Sequence, residues 1–590
     1  MKRILLICTF ALMTISSWAV KANSEPVDIK QADGTTITVI LCGDEDFHYY
    51  KTLDGALLVR ESDGFFIAEV NTEGELTSTG ILAHNALQRN AQEKAAVRTQ
   101  NRNLFYKTAT STALKVKARK EPVATNSTLF PHTGTPKVLV VLAQFTDTVF
   151  TLNNVKEAFN QYLNGEGPMI NYGNRDTKNY GSVRQYFSDM SFGQFKPTFD
   201  IVGPITLNHE LKYYGAGKDN MSLFIPDVCK AADDAGVDFS QYDENKDGYL
   251  DLIYVIYAGY SQSFSGNPAE CIWPKSGTIN GGTYDGIKVL RYGVNNELNG
   301  VSGQQIGWMN GIGLFLHEFS HCMGMPDLYA TTAASEECQK ANNQMPDRWS
   351  IMDSGCYLNN GYTPSAYTAW EREAFGWMQI DTLKEAGMVE LKTIDNGGKA
   401  YRIMNDNDLT GNEYFIVENI QKEGWNSKAL GNGMLVFHVD YDKTAFSLNS
   451  NSVNNVLGHP RFSVLPADSV VLSAYNAKTQ AEWNYSFAGD PFPGVGNVYN
   501  LTDTSRVKPV LYKGESLNKP IYDIEENTET GVVTFAFLQK KETLGITVPV
   551  ATSRDSDKRI YSIDGRYLGT DTGILPKGIY IMNRKKFVVK

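Results

Sequence analysis

Alternation of apolar and polar positions predicts strands towards both ends of the chain. Residues 35–41 alternate as a half-buried strand does, and Asp-Gly pairs at 33–34, 54–55 and 63–64 are typical of tight turns. After residue 381 helical periodicity largely disappears. Further strands are predicted in that region, at Tyr414–Glu418, Met434–Val439, Val470–Ser473 and Val532–Phe537.

The middle of the chain combines a buried strand with helices. The apolar run Lys137–Phe145 has the length of a strand covered on both faces. Helical periodicity begins near Tyr180, and again over Pro364–Trp377. Residues 260–311 are rich in Gly, Ser and Asn, which predicts loops of the kind that wall a cleft. These patterns together predict an α+β fold.

The first residues have the pattern of a secretory signal peptide. Lys2 and Arg3 precede an apolar run that reaches Val20, and small residues permit cleavage after Ala19 or after Ala22. No other segment is long and apolar enough to span a bilayer. We therefore expect residues 1–22 to direct export and the mature chain to carry no transmembrane segment.

Charge and cysteine content narrow the function classes. The chain has 55 basic and 66 acidic residues and no basic tract, which argues against nucleic acid as a partner. The six cysteines after Cys8 are scattered, so they predict neither a zinc knuckle nor a disulfide-dense scaffold. Cys338 and Cys356 could form a bridge, and isolated buried thiols fit the sequence equally well.

The stretch HEFSHCMGMPD, residues 317–327, carries the strongest chemical signal. His317 and His321 are four residues apart, so on a helix they share one face and can bind one metal ion. Glu318 is offset by one residue and can act on a metal-bound water as general base. Gly324 permits a turn that returns Asp327 as a third ligand. Three protein ligands with an open fourth position are typical of catalytic zinc.

A second segment resembles the first half of a calcium loop. Oxygen-bearing residues stand at positions 1, 3 and 5, a glycine at position 6, and further ligands at positions 7 and 9. No bidentate Glu stands at position 12, so we expect a single EF-hand-like loop rather than an EF-hand pair; the alternative is a solvated turn. The proposed ligands are Asp243, Asn245, Asp247, Tyr249 (through its carbonyl) and Asp251.

The motif HExxHxxGxxD, the block SVRQYFSDMSFG and the segment WSIMDSG together resemble the immune inhibitor A family of secreted bacterial zinc metallopeptidases. The resemblance implies a metzincin-like catalytic domain with His317, His321 and Asp327 as zinc ligands and Glu318 as general base. It also implies that Met352 lies in the Met-turn beneath the ligands. Family members carry a similar acidic loop, which favours calcium over a plain turn.

The last forty-odd residues resemble a different class of domain. The segments 559–566, 575–580 and 585–590 are similar to the C-terminal sorting domain of type IX secretion cargo. Turns are predicted at Asp564-Gly565 and Lys577-Gly578. The resemblance implies the type IX secretion machinery as a partner and a location outside the cell, either released or retained on the outer surface. The alternative is a generic terminal strand pair.

An N-terminal domain ahead of a protease domain suggests a zymogen. Residues 101–135 include the basic positions 115, 117, 119 and 120, which would make an accessible processing site. Cys42, Asp44 and Glu45 are chemically able to block an open zinc position, although Gly43-Asp44 also fits a structural turn.

The expected organisation follows from these segments. It comprises a signal peptide (1–22), a β-rich prodomain-like domain (23–100), a linker (101–135), a zinc peptidase domain (136–380), a β-rich domain (381–542) and a sorting domain (543–590). The expected function is a secreted zinc endopeptidase that hydrolyses protein or peptide substrates. Two alternatives remain: a non-catalytic surface binding or adhesion protein, and a zinc hydrolase of non-peptide amides.

Overall fold

A computed structural model describes most of the chain between residues 16 and 589. The described ranges are 16–45, 47–62, 64–109, 130–166, 179–215, 220–264, 266–268, 270–300, 308–331, 345–471, 479–543, 560–562, 567–582 and 585–589. Most of the predicted signal peptide, the basic positions 115–120, Cys338 and the predicted turn at 564–565 lie outside these ranges. Within them, no helix has both the length and the apolar character that a membrane crossing requires.

The N-terminal region is an antiparallel meander followed by helix. Six strands hydrogen-bond in chain order, and the alternation predicted for residues 35–41 belongs to the second of them. Residues 91–99 form helix α1, and residues 102–109 are also helical. The strands are β2 (Val27–Lys30), β3 (Thr36–Gly43), β4 (His48–Thr52), β5 (Leu57–Glu61), β6 (Gly64–Val70) and β7 (Leu76–Leu82).

The central region is built on a mixed six-stranded sheet. Its order is β1-β11-β12-β10-β8-β9, with parallel pairs between β9, β8, β10 and β12, and antiparallel pairs at the β11 edge. The strands are β1 (Ser16–Ala19), β8 (Lys137–Gln144), β9 (Thr198–Thr206), β10 (Ile253–Tyr260), β11 (Lys275–Tyr284) and β12 (Ile287–Leu298). The predicted strand over 137–145 is thus confirmed as an interior parallel strand.

Helices cover both faces of this sheet, and an apolar core lies on each face. Ser182 accepts the N–H of Gln185 and so begins the helix predicted near Tyr180, while a capping box between Thr368 and Glu371 begins another. The helices are α2 (Val155–Asn164), α3 (Val183–Met190), α4 (Leu211–Tyr214), α5 (Met221–Asp234), α6 (Ile312–Cys322) and α7 (Ala369–Ala374).

The β-rich region after residue 381 packs directly onto the core of the central region. One sheet has the order β13-β15-β16-β17-β18, a second has the order β14-β20-β19, and their facing residues form a core of their own. The other face of the first sheet contributes Ile416, Leu435 and Phe437 to the same apolar cluster as the α6 residues Phe315 and Phe319. Because one core spans both regions, the β-rich region is a structural partner of the central region.

The elements of this region and of the terminal unit are as follows. The two sheets contain β13 (Asp381–Thr382), β14 (Gly387–Leu391), β15 (Tyr401–Met404), β16 (Glu413–Ile420), β17 (Gly433–Asp440), β18 (Phe462–Val464), β19 (Ile521–Asn527) and β20 (Val532–Phe537), with helix α8 over Gln480–Gly489. The terminal unit is an antiparallel sheet of order β22-β21-β23-β24, formed by β21 (Ile560–Ser562), β22 (Tyr567–Gly569), β23 (Gly578–Met582) and β24 (Lys585–Val589).

Two predictions of local structure are wrong. The Gly- and Asn-rich stretch after Tyr260 contains the long β11–β12 hairpin, because Asp285 and Gly286 adopt positive φ in its tight turn and its polar side chains are buried. Val470 and Val471 lie outside any strand, and the strand that pairs with β17 is β18. The pattern of apolar residues alone did not distinguish strand from loop in these two segments.

Candidate metal centre and active site

Helix α6 carries the HExxH motif in a fully buried position. All of its residues are buried, which explains the apolar sequence ahead of His317. Gly313 lets the helix approach the 3-10 segment Ser354–Gly361, since a Cβ at this position would lie 1.9 Å from the carbonyl oxygen of Cys356. Gly324, at φ +104°, turns the chain after the helix and donates its N–H to the carbonyl of His321.

Three predicted ligands converge behind this turn. The Nε2 atoms of His317 and His321 lie 3.2 Å apart, and each lies 3.2 Å from Oδ1 of Asp327. All three side chains are buried. In a tetrahedral zinc site with bonds of about 2.0–2.2 Å, neighbouring ligand atoms are roughly 3.3–3.6 Å apart. The spacing therefore fits a single zinc ion.

The protonation of the two imidazoles supports the same conclusion. Nδ1 of His317 faces the carbonyl oxygen of Ile351 at 2.8 Å, and Nδ1 of His321 faces that of Met325 at 2.7 Å. A carbonyl oxygen only accepts, so each Nδ1 carries a proton and each Nε2 is the ring nitrogen that faces Asp327. Asp327 Oδ1 has no hydrogen-bond donor among the described residues. Three ligand atoms so arranged can hold one metal ion between them.

Asp327 is held by a residue from the β-rich region. Its Oδ2 accepts the Nδ2 amide of Asn451 at 2.6 Å, and its backbone N–H donates to Oδ1 of Asn451 at 2.8 Å. Burial alone would raise the pKa of Asp327, but the neighbouring His321 and His317 keep it well below its usual range. The third ligand is therefore ionised and fixed in orientation through its second oxygen.

Glu318 lies beside the metal ligands in an apolar setting. Its Oε1 accepts the backbone N–H of Val20 at 2.8 Å, and Oε2 has no hydrogen-bond partner among the described residues. Burial raises the pKa of Glu318 to about 8, against the opposing charge of His317. A carboxylate with this pKa can accept a proton near neutral pH and release it again.

The backbone N–H that Glu318 accepts belongs to residues 16–22, a segment that lies in the candidate active site. Strand β1 pairs antiparallel with the free edge of β11, from Ser16 opposite Thr278 to Ala19 opposite Lys275. The chain then continues past the metal ligands towards the N-terminal domain. The residues that the signal-peptide pattern singles out, Ala19 to Ala22, thus lie at the active site in the described chain.

Side chains from separate parts of the chain bind this segment. The indole N–H of Trp273 donates to the carbonyl of Val20 at 2.9 Å, and the hydroxyl of Tyr357 donates to that of Lys21 at 2.8 Å. The backbone N–H of Ala22 donates to Gly43 at the end of β3. The ammonium group of Lys21 lies 3.2 Å from Oδ1 of Asp353. The segment is therefore bound through its backbone and through one charged side chain.

The predicted Met-turn segment, residues 349–355, is joined to the ligand-bearing stretch by hydrogen bonds. The carbonyl of Ile351 accepts the Nδ1 proton of His317, and the carbonyl of Met352 accepts the N–H of Leu328, next to the third ligand. The side chain of Met352 is fully buried in the main core. Met352 thus contacts the residue after the third ligand, and its neighbour Ile351 contacts the first ligand, while the support role of the Met352 side chain stays a prediction.

The proposed calcium residues form one loop ahead of β10. Asp243 accepts the N–H groups of Asp247 and Gly248, and Asp247 accepts that of Tyr249. Burial, and then the charges of its acidic neighbours, raise the pKa of Asp251 to about 6. Among the described residues, the His317, His321 and Asp327 group is the one cluster with metal-ligating spacing. Calcium binding by Asp243, Asn245, Asp247, Tyr249 and Asp251 therefore stays a prediction.

The three candidate blocking residues of the N-terminal domain do not join the metal ligands. Cys42 is buried in that domain's own core. Asp44 closes a turn in which its carboxylate accepts the N–H of Phe47, as the structural-turn interpretation predicts. Neither Asp44 nor Glu45 belongs to the His-His-Asp group within the described part of the chain. Cys356 is a buried thiol without a disulfide.

Comparison with known proteins agrees with this geometry. Residues 128–381 match the family model described as "Immune inhibitor A peptidase M6, catalytic domain". Residues 128–381 are thus similar to a peptidase M6 catalytic domain. Immune inhibitor A of Bacillus thuringiensis subsp. alesti is 26% identical over 291 residues, which cover 40% of this chain and 39% of that protein. Pre-pro-metalloprotease PrtV of Vibrio cholerae serotype O1 (strain M66-2) is 22% identical over 277 residues, covering 40% and 29% respectively.

These matches support a metalloendopeptidase, a hydrolase of peptide bonds. The chain spans well under half the length of the curated relatives it matches. The matched residues 128–381 include the three candidate metal ligands.

Several functional contacts were not predicted from the sequence. Asn451 lies in a polar run of Ser and Asn residues that has no motif. Trp273 and Tyr357 reach the cleft from segments that are far apart in sequence. Asp353 follows Met352 in the Met-turn segment, and only the folded chain shows that it faces Lys21.

Proposed function

We propose that this protein is a secreted, zinc-dependent endopeptidase that is synthesised as a zymogen. The observation that carries the proposal is the convergence of three ligand atoms at 3.2 Å with Glu318 beside them. A ligand set of two imidazoles and one carboxylate suits zinc and leaves a fourth position for chemistry.

The residues of the chain have separate roles in hydrolysis. His317, His321 and Asp327 would hold the zinc ion, which polarises the scissile carbonyl and lowers the pKa of water when bound. Glu318 accepts a proton on its carboxylate as water attacks and then donates it to the departing nitrogen. Its Oε1 already accepts the peptide N–H of Val20, so it stands at the nitrogen of a bound peptide.

Latency follows from the same contact. Signal cleavage after Ala19 would remove Ser16–Ala19, which pair with β11, but would leave Val20–Ala22, whose first residue covers Glu318 through its N–H. The N-terminal domain ties this segment down through the hydrogen bond between Ala22 and Gly43. Removal of the domain by cleavage within residues 101–135 would release the segment and open the cleft.

The proposal also includes export of the chain and binding of calcium. The signal-peptide pattern would direct the chain to the secretion pathway, and the C-terminal unit would direct it through the type IX machinery. An antiparallel four-stranded sheet at the C-terminus is compatible with a small sorting domain. The acidic loop ahead of β10 would bind calcium and stabilise the peptidase domain outside the cell.

The decisive experiment compares the wild type with Glu318→Ala on a protein substrate, with zinc measured in both. Glu318→Ala should retain zinc and lose activity by a factor on the order of 10³ or more, because proton transfer is lost while the ligands remain. Glu482→Ala, in the first turn of α8, is the matched control and should behave as wild type. Equal activity of Glu318→Ala and the wild type, with zinc retained in both, would refute the mechanism.

A further inference from the structure

The cleft contains a charged pocket that the hydrolytic mechanism does not use. The ammonium group of Lys21 enters it and lies 3.2 Å from Oδ1 of Asp353, with both side chains almost fully buried. The ring of Tyr329 lies beneath the ammonium group at 5.7 Å from its centroid. A buried ion pair needs such partners, because neither charge is stabilised by bulk water.

The pocket itself is anionic. Asp353 accepts the backbone N–H of Asp347 at 3.0 Å and the hydroxyl of Ser354 at 3.1 Å, which orients its carboxylate towards Lys21. Asp347 is buried beside it, and its Oδ1 has no hydrogen-bond donor among the described residues. Two buried carboxylates with one unmet acceptor favour a cation in the space between them.

The neighbouring arginine does not serve as that cation. The guanidinium of Arg348 donates to the carboxylate of Glu25 at 2.6 Å and to the carbonyl of Ser354 at 3.2 Å. It also stacks over the ring of Trp483. The positive charge that enters the pocket therefore comes from the peptide in the cleft, namely from Lys21.

The register of this peptide relates the pocket to the scissile bond. Val20 presents its N–H to Glu318, the group that acts at the departing nitrogen, so a substrate in the same register would be cut before the residue that corresponds to Val20. Lys21 follows directly and corresponds to the second residue after the cut. The backbone contacts of Trp273 and Tyr357 involve carbonyl groups and accept any sequence. The side chain of Val20 is buried in the main core, so the charged pocket is the polar side-chain contact among those described for this segment.

We propose that Asp353, supported by Asp347, is a specificity-determining residue that selects a lysine or arginine at the second position after the scissile bond. The inference rests on the proposed endopeptidase function and names its substrate class. The occupying segment is bound as an internal copy of such a substrate.

The test uses processed wild-type enzyme and three quenched fluorescent peptides based on Ser16–Asn23. They carry Lys, norleucine or Glu at the position of Lys21 and are otherwise identical. We expect kcat/KM for the Lys peptide to exceed that for norleucine at least tenfold, with the Glu peptide slowest, and mass spectrometry to show cleavage at the Ala-Val bond. Asp353→Asn should reduce the ratio of Lys to norleucine to about one, whereas Asp234→Asn, at the exposed end of α5, should keep it.

Binding provides a readout that is independent of turnover. Processed Glu318→Ala should bind the Lys peptide more tightly than the norleucine peptide in a fluorescence anisotropy titration. Equal cleavage of the three peptides, or cleavage at a different bond, would overturn the specificity inference and leave the endopeptidase intact. No cleavage of the peptides or of casein by zinc-loaded, processed wild type would instead overturn the proposed function. If Asp353→Asn does not fold, the comparison of the three peptides on the wild type decides alone.

Discussion

Asn451 and Asp327 are joined by two hydrogen bonds, although 124 residues separate them in sequence. The amide of Asn451 donates to the carboxylate oxygen of Asp327 that is turned away from the histidines, and it accepts the N–H of the same residue. A loop of the β-rich region therefore fixes the geometry of the third metal ligand. The β-rich region takes part in the metal centre as well as in the core.

Asn451→Ala should weaken zinc binding while it leaves the ligand set intact. Loss of an outer hydrogen bond to a metal ligand typically lowers affinity by about 10- to 100-fold. The zinc dissociation constant, measured by competition with a chromophoric chelator, should rise by this amount. Asn432→Ala, whose amide contacts Glu526 in the same region, is the matched control and should leave the constant unchanged. An unchanged constant for Asn451→Ala would show that Asp327 is oriented without it.

The sequence identifies the four residues of the motif better than it identifies the residues that surround them. His317, Glu318 and His321 are fixed by helical spacing, and a single turn suffices to return Asp327, so local rules cover all four. Asn451 and Asp353 act through contacts between segments that are remote in sequence, or through a side-chain direction that periodicity does not encode. No local pattern identifies such residues.

In the fold, too, features with a local pattern were predicted and features that depend on distant contacts were missed. The buried strand β8 is visible as an apolar run, because both of its faces meet core. The β11–β12 hairpin was missed because its Gly and Asn residues are typical of loops, and burial of Asn295 and Asn296 depends on hydrogen bonds supplied by the folded chain. The joint core of the peptidase and β-rich regions is likewise a property of packing and not of either sequence segment alone.

Lys21→Met should weaken latency in the unprocessed chain. Without the ammonium group, Asp353 remains buried and unpaired, which costs about 3–5 kcal/mol in comparable buried pairs and disfavours the occupied cleft. We expect unprocessed Lys21→Met to cleave a fluorogenic peptide several-fold faster than unprocessed wild type. Lys212→Met, an exposed lysine, is the control.

The position of signal cleavage bears on the same prediction. Cleavage after Ala19 would leave Val20 as the first residue and keep Lys21 in its pocket, whereas cleavage after Ala22 would remove both. N-terminal sequencing of the secreted, unprocessed chain distinguishes the two. A first residue of Asn23 would contradict the latency role of the segment.

Gly313→Ala should destabilise the peptidase domain. The added methyl group would lie 1.9 Å from the carbonyl oxygen of Cys356, and neither the buried helix nor the 3-10 segment can move away without disturbing the core. Overpacking of this kind costs about 1–3 kcal/mol or more and should lower the Tm by several degrees. Gly387→Ala, where no atom lies within 4 Å of the new Cβ, is the matched control. An unchanged Tm in differential scanning calorimetry would show that the helix and the segment separate easily.

Calcium should stabilise the chain more strongly at pH 7.5 than at pH 5. The pKa of Asp251 is about 6 in the folded chain, above its ordinary value of 3.8, because burial and acidic neighbours disfavour its charge. A raised carboxyl pKa contributes stability that is complete below pH 4 and is lost as the pH rises through 6. Since the group is half-exposed, we expect the loss to be on the order of 1 kcal/mol. A bound cation would remove the repulsion and restore this stability.

In thermal unfolding with EGTA, the Tm of the wild type should therefore fall between pH 5 and pH 7.5. Asp251→Asn should reduce this fall, because an amide does not titrate. Addition of calcium at pH 7.5 should raise the Tm of the wild type by a few degrees. The same concentration of magnesium should have little effect, because a flexible loop of carboxylates, an amide and a carbonyl suits the larger ion. If calcium leaves the Tm unchanged at pH 7.5, the loop is a solvated acidic turn, and Asp243, Asn245, Asp247, Tyr249 and Asp251 hold no ion.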